Sequence, residues 1–389
     1  MKKVKYCALT TISDSLKSFV LPSLYNLKKN GYDITVSCAK DDNFARMVRS
    51  KFNYFPLEIT RGFHLSITIR NIFVLYKFFR EEKFEMIEYG TENVALCAAV
   101  AGFFARIPIR IYNHWGARYV GLSGIPRIMS IWIERFAALF STDIRQVSYR
   151  NAEMCVKDHI YPAEKVKVLG NGGTIGVDFN QFKVDKKNDY RKEVISQFNI
   201  PQNAFVFGFV GRIQPDKGVN ELIIAFRKIY EENKNAYLML VGPPDTENQI
   251  AEEKIGWAMN CPNVIFTGLV TDVHRYISTF DTMVHPTYRE GFGMVLQEAA
   301  AVKTPIITTN IMGPGEFIKN NVTGILVEEK NSEQLYDAMC IMIIDAELRK
   351  RFANQCYDYT KNNFERAVMV NTILQDRELL YEKSKRRKR

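Results

Sequence analysis

At 389 residues, with 47% hydrophobic and 12% aromatic content, the chain is long enough for two or three domains with real cores, and a disordered or fibrous protein is excluded. The net charge is +10, but Lys383-Ser384-Lys385-Arg386-Arg387-Lys388-Arg389 supplies six positive charges and leaves +4 for the remainder. Such a local excess suits an anionic lipid surface, nucleic acid, or solvent alone. The seven cysteines are widely spaced and form no Cys-x-x-Cys pair, which argues for reduced thiols in a cytoplasmic protein and against a disulfide scaffold or a zinc site.

The basic opening Met1-Lys2-Lys3 leads into Val4 to Leu9, which is too short for a signal peptide and reads as a first strand. A helix from about Leu16 to Lys29 follows, closed by Asn30-Gly31. Strands at Ile34 to Cys38, Tyr54 to Leu57 and Met86 to Tyr89 then alternate with helices at Ile69 to Glu82 and Val94 to Arg106. This rhythm predicts a parallel sheet with helices on both faces and ligands at the strand C-termini. The most apolar window, Val94 to Phe104, falls short of the ~20 residues needed to span a bilayer. The helix carrying Ile69, Ile72, Phe73, Tyr76 and Phe79, with Arg61, Arg70, Lys77, Arg80 and Lys83 around it, either covers the sheet or rests on a membrane.

Ile109 to Tyr112 reads as a strand that delivers His114 to the ligand edge, where a structural histidine packed on Trp115 is the alternative. After the strand Val166 to Leu169, the glycine-rich run Gly170 to Gly176 lacks the G-x-G-x-x-G spacing of a dinucleotide fingerprint. The polar run from Lys183 reads as a linker, which divides the chain into domains at 1–182 and 204–363, a linker at 183–203, and a last helix with a basic tail at 364–389.

The second half repeats the rhythm with strands at Phe205 to Val210, Tyr237 to Val241, Val264 to Thr267, Thr282 to Val284, Ile306 to Thr309 and Gly324 to Val327. Arg212 and Lys217 lie on the turn after Phe205 to Val210, and two cations on one turn suit a diphosphate unless both simply face water. In His285-Pro286-Thr287-Tyr288-Arg289-Glu290-Gly291-Phe292-Gly293, the glycines let the backbone approach a ligand, and the helix that follows from Met294 presents free N–H groups to an anion. Glu298 stands alone among Val295, Leu296 and Ala299 to Ala301. A carboxylate buried there would need donors such as a sugar diol, whereas a solvent-facing one would need nothing.

With Gly211-Arg212, Lys217-Gly218, His285-Pro286, Glu290-Gly291-Phe292-Gly293, Glu298-Ala299 and Gly313-x-x-Glu316 in this order, the chain resembles the retaining glycosyltransferase family four over nearly its whole length. The resemblance implies a GT-B fold, an α/β architecture of two Rossmann-like doubly wound domains facing across a cleft. His114 and Gly176-Val177-Asp178 make the amino-terminal half similar to the subgroup that builds capsular, O-antigen or exopolysaccharide units. The resemblance further implies that Arg212 and Lys217 grip the donor diphosphate, and that Glu298 takes the ribose hydroxyls. Glu290, with Gly291 and the amides of Phe292 and Gly293, would hold the moving sugar; Leu269 and Val270 would lie near the base, and His114 would reach the sugar from the other domain. Family members often carry a Gly-Gly loop after the first strand, where this chain has Thr11-Ile12-Ser13-Asp14-Ser15-Leu16. There is no Asp-x-Asp; Asp245-x-Glu247 and Asp345-x-Glu347 are not at strand ends, so no metal or other cofactor is called for.

The expected activity is retaining transfer of a hexose or aminosugar from a nucleoside diphosphate donor, UDP-linked by preference, to a lipid-linked saccharide at the cytoplasmic face of the cell membrane. A nucleotide-sugar epimerase or phosphorylase of the same fold is the alternative enzyme. A nucleic-acid-binding protein using the basic tail is the alternative from another class, although the core charge is modest and base-stacking motifs are absent.

Overall fold

A computed structural model describes residues 3–59, 62, 64–245 and 250–388. Met1, Lys2, Arg61, Glu247 and Arg389 lie outside the described residues, as do the side chains of Arg387 and Lys388. The chain forms two units, Met1–Ile175 with Arg366–Arg389, and Gly176–Glu365. Among the described residues, no helix is long and apolar enough to cross a membrane.

The first unit runs β1 (Val4–Leu9), α1 (Ser13–Phe19), α2 (Leu21–Lys29), β2 (Tyr32–Ala39), α3 (Asp42–Val48), β3 (Asn53–Leu57), α4 (Leu65–Glu82), β4 (Met86–Gly90), α5 (Glu92–Phe104), β5 (Ile109–His114), α6 (Gly124–Phe140), β6 (Asp143–Gln146), α7 (Tyr149–Lys157) and β7 (Val166–Val168). Its seven strands are all parallel in the order β3-β2-β1-β4-β5-β6-β7. Helices cover both faces, and so β4 is buried along its whole length, its one charged residue Glu88 included. The helix expected from Leu16 to Lys29 is two helices. The chain breaks at Val20 (φ −130°, ψ −44°), two residues before Pro22, which would clash with the preceding turn inside one long helix but is tolerated in the first turn of a new one.

The second unit runs α8 (Lys187–Gln197), β8 (Phe205–Val210), α9 (Val219–Glu232), β9 (Ala236–Val241), α10 (Glu252–Asn260), β10 (Val264–Gly268), α11 (Val273–Thr279), β11 (Thr282–His285), α12 (Met294–Ala301), β12 (Ile306–Thr309), α13 (Pro314–Phe317), β13 (Ile325–Val327), α14 (Ser332–Ile344) and α15 (Ala346–Phe364). Its six strands are parallel in the order β10-β9-β8-β11-β12-β13. The polar stretch read as a linker holds α8, which buries Val194 and Ile195 and packs on α11. The division accordingly falls at Ile175/Gly176, ahead of the polar run.

The last helix, α16 (Arg366–Lys388), belongs to the first unit and continues through most of the basic tail. A buried ion network fastens it. Arg145 Nε and Nη2 reach the Asp376 carboxylate at 2.8 and 3.0 Å, Arg377 Nη1 reaches Asp376 at 2.6 Å, and Arg377 Nη2 reaches Glu88 Oε2 at 2.8 Å.

Candidate functional site

In the second unit β8 and β11 are neighbours, but the chain proceeds from β8 to β9 on one side and from β11 to β12 on the other. At such a reversal the loops leaving the two strands diverge and open a crevice at the C-terminal edge of the sheet. Gly211 to Gly218 leaves β8 there, and Pro286 to Gly293 leaves β11.

The two loops are tied to one another. Tyr288 N donates to Asp216 O at 2.9 Å and Arg289 Nε to the Asp216 carboxylate at 2.9 Å. Gly218 has φ +69°, and a Cβ on it would stand 1.9 Å from Pro286 O, so only glycine allows the approach. Across this seam Lys217 Nζ meets Glu290 Oε2 at 2.7 Å, and His285 Nε2 lies 3.6 Å from the same oxygen. Burial opposes ionisation of Glu290, but the Lys217 charge and His285 outweigh it and hold the carboxyl well below the usual range. Burial lowers His285 in turn, which leaves Lys217–Glu290 as the ion pair beside a neutral imidazole.

Arg212 is outside this cluster. Its guanidinium is largely exposed and pairs with Asp245 at 3.1 Å, so each of the two cations comes with its own carboxylate. Phe292 is buried against Phe317 and Phe364, with ring centroids 6.1 and 5.4 Å away, and this anchors the loop from beneath. Gly291 is half-buried. Gly293 caps α12 at φ +87°, and a Cβ on Gly313 would come within 2.6 Å of Gly291 O. Leu269 is exposed and Val270 half-buried at the rim after β10, where Gly268 turns the chain at φ +68°.

Glu298 is half-buried, not buried. The fully buried polar side chain of α12 is its neighbour Gln297, whose Oε1 and Nε2 both lack hydrogen-bond partners within the protein.

The first unit has a second candidate site at its own reversal, between β1 and β4. A cavity of about 490 Å³ opens there, lined among others by Ser15, Thr91, Glu92, His114, Trp115 and Arg118. Thr91 holds φ +69°, a genuine outlier for a β-branched residue, and its hydroxyl lies 2.7 Å from the Thr11 hydroxyl. Of the hydroxyls in the Thr11 to Leu16 turn, Ser13 is committed to Asp41 at 2.6 Å while Ser15 faces the cavity.

His114 reaches the end of β5 as the sequence requires, but its ring is turned inward. Nε2 lies 3.4 Å from Glu134 Oε2, and Nδ1 lies 2.9 Å from Gln146 Nε2. Gln146 Oε1 accepts from Val147 N at 2.8 Å, so its amide nitrogen must be the donor to Nδ1 and the imidazole proton sits on Nε2. Burial opposes charge on this imidazole and Glu134 favours it, shifting it upward, but a second proton on Nδ1 would point at the Gln146 amide donor, so the ring is held neutral with its proton toward Glu134; burial raises Glu134 in turn. Glu134 was missed from the sequence. It is a lone carboxylate in Ile131-Trp132-Ile133-Glu134, the same signal that drew attention to Glu298.

Among the described residues, no group of three or more His, Cys, Asp or Glu side chains is placed to hold a metal ion. The seven cysteines form no disulfide, and all but Cys340 are buried.

Residues 191–359 match the model of the family described as Glycosyl transferases group 1. The chain is 28% identical over 385 residues to the capsular polysaccharide biosynthesis glycosyltransferase CapM of Staphylococcus aureus, covering 97% of this chain and all of that one. It is 22% identical over 380 residues to the Escherichia coli UDP-Gal:alpha-D-GlcNAc-diphosphoundecaprenol alpha-1,3-galactosyltransferase, covering 95% of both. The crystal structure of Anabaena Alr3699/HepE in complex with UDP superposes with a TM-score of 0.78 at 18% identity, over 96% of this chain and all of that one. That likeness carries the fold.

Proposed function

Residues 191–359 of this chain are a group 1 glycosyltransferase domain within a GT-B fold, and from that premise we propose that it is a retaining hexosyltransferase of cell-surface polysaccharide assembly. The donor is a nucleoside diphosphate sugar, UDP-linked, and the acceptor is a lipid-linked saccharide at the cytoplasmic face of the membrane. The observation that carries this reading is the Lys217–Glu290 pair, which spans two loops that glycine locks together at the sheet reversal. The printed names of the relatives, a capsule glycosyltransferase and a galactosyltransferase acting on a diphosphoundecaprenol-linked sugar, support the substrate classes.

In this reading the diphosphate enters where Lys217 is already aimed. The ammonium is held by an ionised carboxylate and keeps donors free for phosphate oxygens, while Arg212 adds a second cation at the mouth. Glu290 turns its remaining acceptor capacity to the hydroxyls of the moving sugar, together with Gly291 and the amides of Phe292 and Gly293. Glu298 takes the ribose diol, and Leu269 and Val270 flank the base. The bond between the anomeric carbon and the phosphate oxygen breaks, and the acceptor oxygen bonds on the same face. Its proton passes to the departing phosphate, whose charge the two cations stabilise without a metal ion. His114 turns its ring inward, with Nδ1 accepting from Gln146 and Nε2 facing Glu134, so it acts as a positioning residue that fixes the end of β5.

Incubating the purified protein with UDP-hexoses, with and without a membrane extract containing lipid-linked saccharide, tests the reading. Transferase action releases UDP only when the acceptor is present. Conversion of the donor without UDP release identifies an epimerase instead.

A further inference from the structure

We propose that helix α6 is the surface by which this protein docks on an anionic bilayer, seated at the boundary between head groups and acyl chains. The inference rests on the reading above for why a membrane should be near, but its evidence is separate.

α6 is built inside out. Its inward residues include Ser130, which donates to Glu92 Oε1 at 2.6 Å, and Glu134, which is fully buried beside His114. Its outward residues are Ile125, Ile128, Trp132, Phe136 and Leu139, a stripe at helical spacing with Ile125 72% and Leu139 63% exposed. A water-facing helix would carry its polar residues on that side. At about 1.5 Å per residue, the 17-residue helix presents roughly 25 Å of apolar ridge. The exposed Phe103 and Phe104 at the end of α5 extend the ridge, joined to α6 by ring contacts of both with Phe140 at 5.1 and 6.5 Å.

Charge decides what covers it. Residues 93–142 contain five arginines and no lysine, and their single acidic residue is the buried Glu134. Arg106 and Arg127 are exposed, Arg118 is exposed but paired with Glu92 at 2.9 Å, and Arg135 lies 5.4 Å over the Trp132 ring. An apolar ridge fringed by an excess of cations, with Arg106, Arg127 and Arg135 beside it, complements anionic head groups over acyl chains. A second copy meeting the same face would set like charges together. The α4 surface suits a membrane less well, because its exposed Leu65, Ile69 and Phe73 include no tryptophan and form a shorter stripe than the one on α6.

The test uses the full-length protein and vesicles of phosphatidylglycerol, or of phosphatidylcholine, whose chains carry bromine as a short-range quencher. Phosphatidylglycerol vesicles are expected to quench part of the tryptophan emission. That part disappears in Trp132→Phe, which still binds, and it fades with added salt. Ile128→Asp with Phe136→Asp should weaken vesicle binding at least tenfold while UDP binding stays unchanged, which reports an intact fold. Transfer to vesicle-borne acceptor falls with it, and transfer to a water-soluble acceptor does not.

Quenching that Trp132→Phe leaves unaltered would overturn the proposal. So would vesicle binding that survives the double substitution and is lost on deleting residues 383–389, or a lipid-free dimer that the double substitution turns into monomer. Because quenching needs neither donor nor acceptor, it fails or succeeds independently of the transferase assay.

Discussion

Replacing Lys217 by Met retains the side chain's bulk and removes its charge. Glu290 is then left with a neutral His285 at 3.6 Å and no cation at 2.7 Å. Removing one partner of a buried pair costs about 3–5 kcal/mol, and because a quarter of the Glu290 side chain is open to solvent, about 2 kcal/mol of stability is the expected loss here. The effect on ligand binding separates from this. One charge-assisted hydrogen bond to phosphate contributes about 1.5–3 kcal/mol, so UDP should bind roughly ten- to a hundredfold more weakly, and an unpaired carboxylate facing the diphosphate adds repulsion. Glu290→Gln removes that repulsion and should leave UDP affinity equal or slightly higher, since UDP carries no sugar for Glu290 to hold, while sugar transfer collapses. The double variant should then bind UDP better than Lys217→Met alone. Titration calorimetry with UDP across this four-member cycle measures each term. UDP affinity within twofold of wild type in Lys217→Met would refute the assignment of the diphosphate to this cluster.

Arg377→Met should destabilise the protein by about 3–5 kcal/mol in denaturant unfolding, because it strands the buried Glu88 carboxylate; Glu88→Gln on the same background should restore much of the loss. Gly218→Ala should lower the melting temperature and abolish UDP binding together, since the new Cβ overlaps the Pro286 carbonyl at a φ that alanine avoids. Lys187 has its ammonium on Lys303 O and Thr304 Oγ1, and burial lowers it to about 8. Between there and its ordinary 10.5 the unfolded chain binds more protons than the folded one, so this group makes stability rise with pH over that window. The rise, on the order of 1–2 kcal/mol, should be missing from Lys187→Met in unfolding measured from pH 8 to 10.5.

Central strands were legible from the sequence where both of their faces are covered by apolar packing, as in the uninterrupted apolar run Phe205 to Val210. The contact of Lys217 with Glu290 was not legible, and the resemblance gives the two separate tasks on diphosphate and sugar, since 73 residues separate them and the contact depends on where two loops close. α8 passed for a linker because its sequence is largely polar and only Val194 and Ile195 are buried. α6 was invisible for the opposite reason. It is apolar on its outer side and polar at two inner positions, so the usual period points the wrong way. Glu134 and Glu298 are both lone carboxylates in apolar helices, but only Glu134 is fully buried, while Glu298 in the middle of α12 is half open. Gln297 gave no warning, because an amide in an apolar helix has no charge to make it conspicuous.

The path of the chain sets an order of events during synthesis. The second unit is interpolated into the first. It leaves after Ile175 and returns at Arg366, and its two ends are stitched side by side where Val177 N donates to Phe364 O at 2.8 Å. A ribosome therefore releases all of the second unit before it releases the piece that finishes the first. Until Asp376 and Arg377 emerge, Glu88 and Arg145 lack their nearest ionic partners and the first sheet, although all seven strands are made, lacks the helix that packs on it, so the second unit is free to mature while its companion cannot. A message cut short anywhere before the final helix leaves a nascent chain with one finished lobe and one open one, a form that cellular proteases recognise readily.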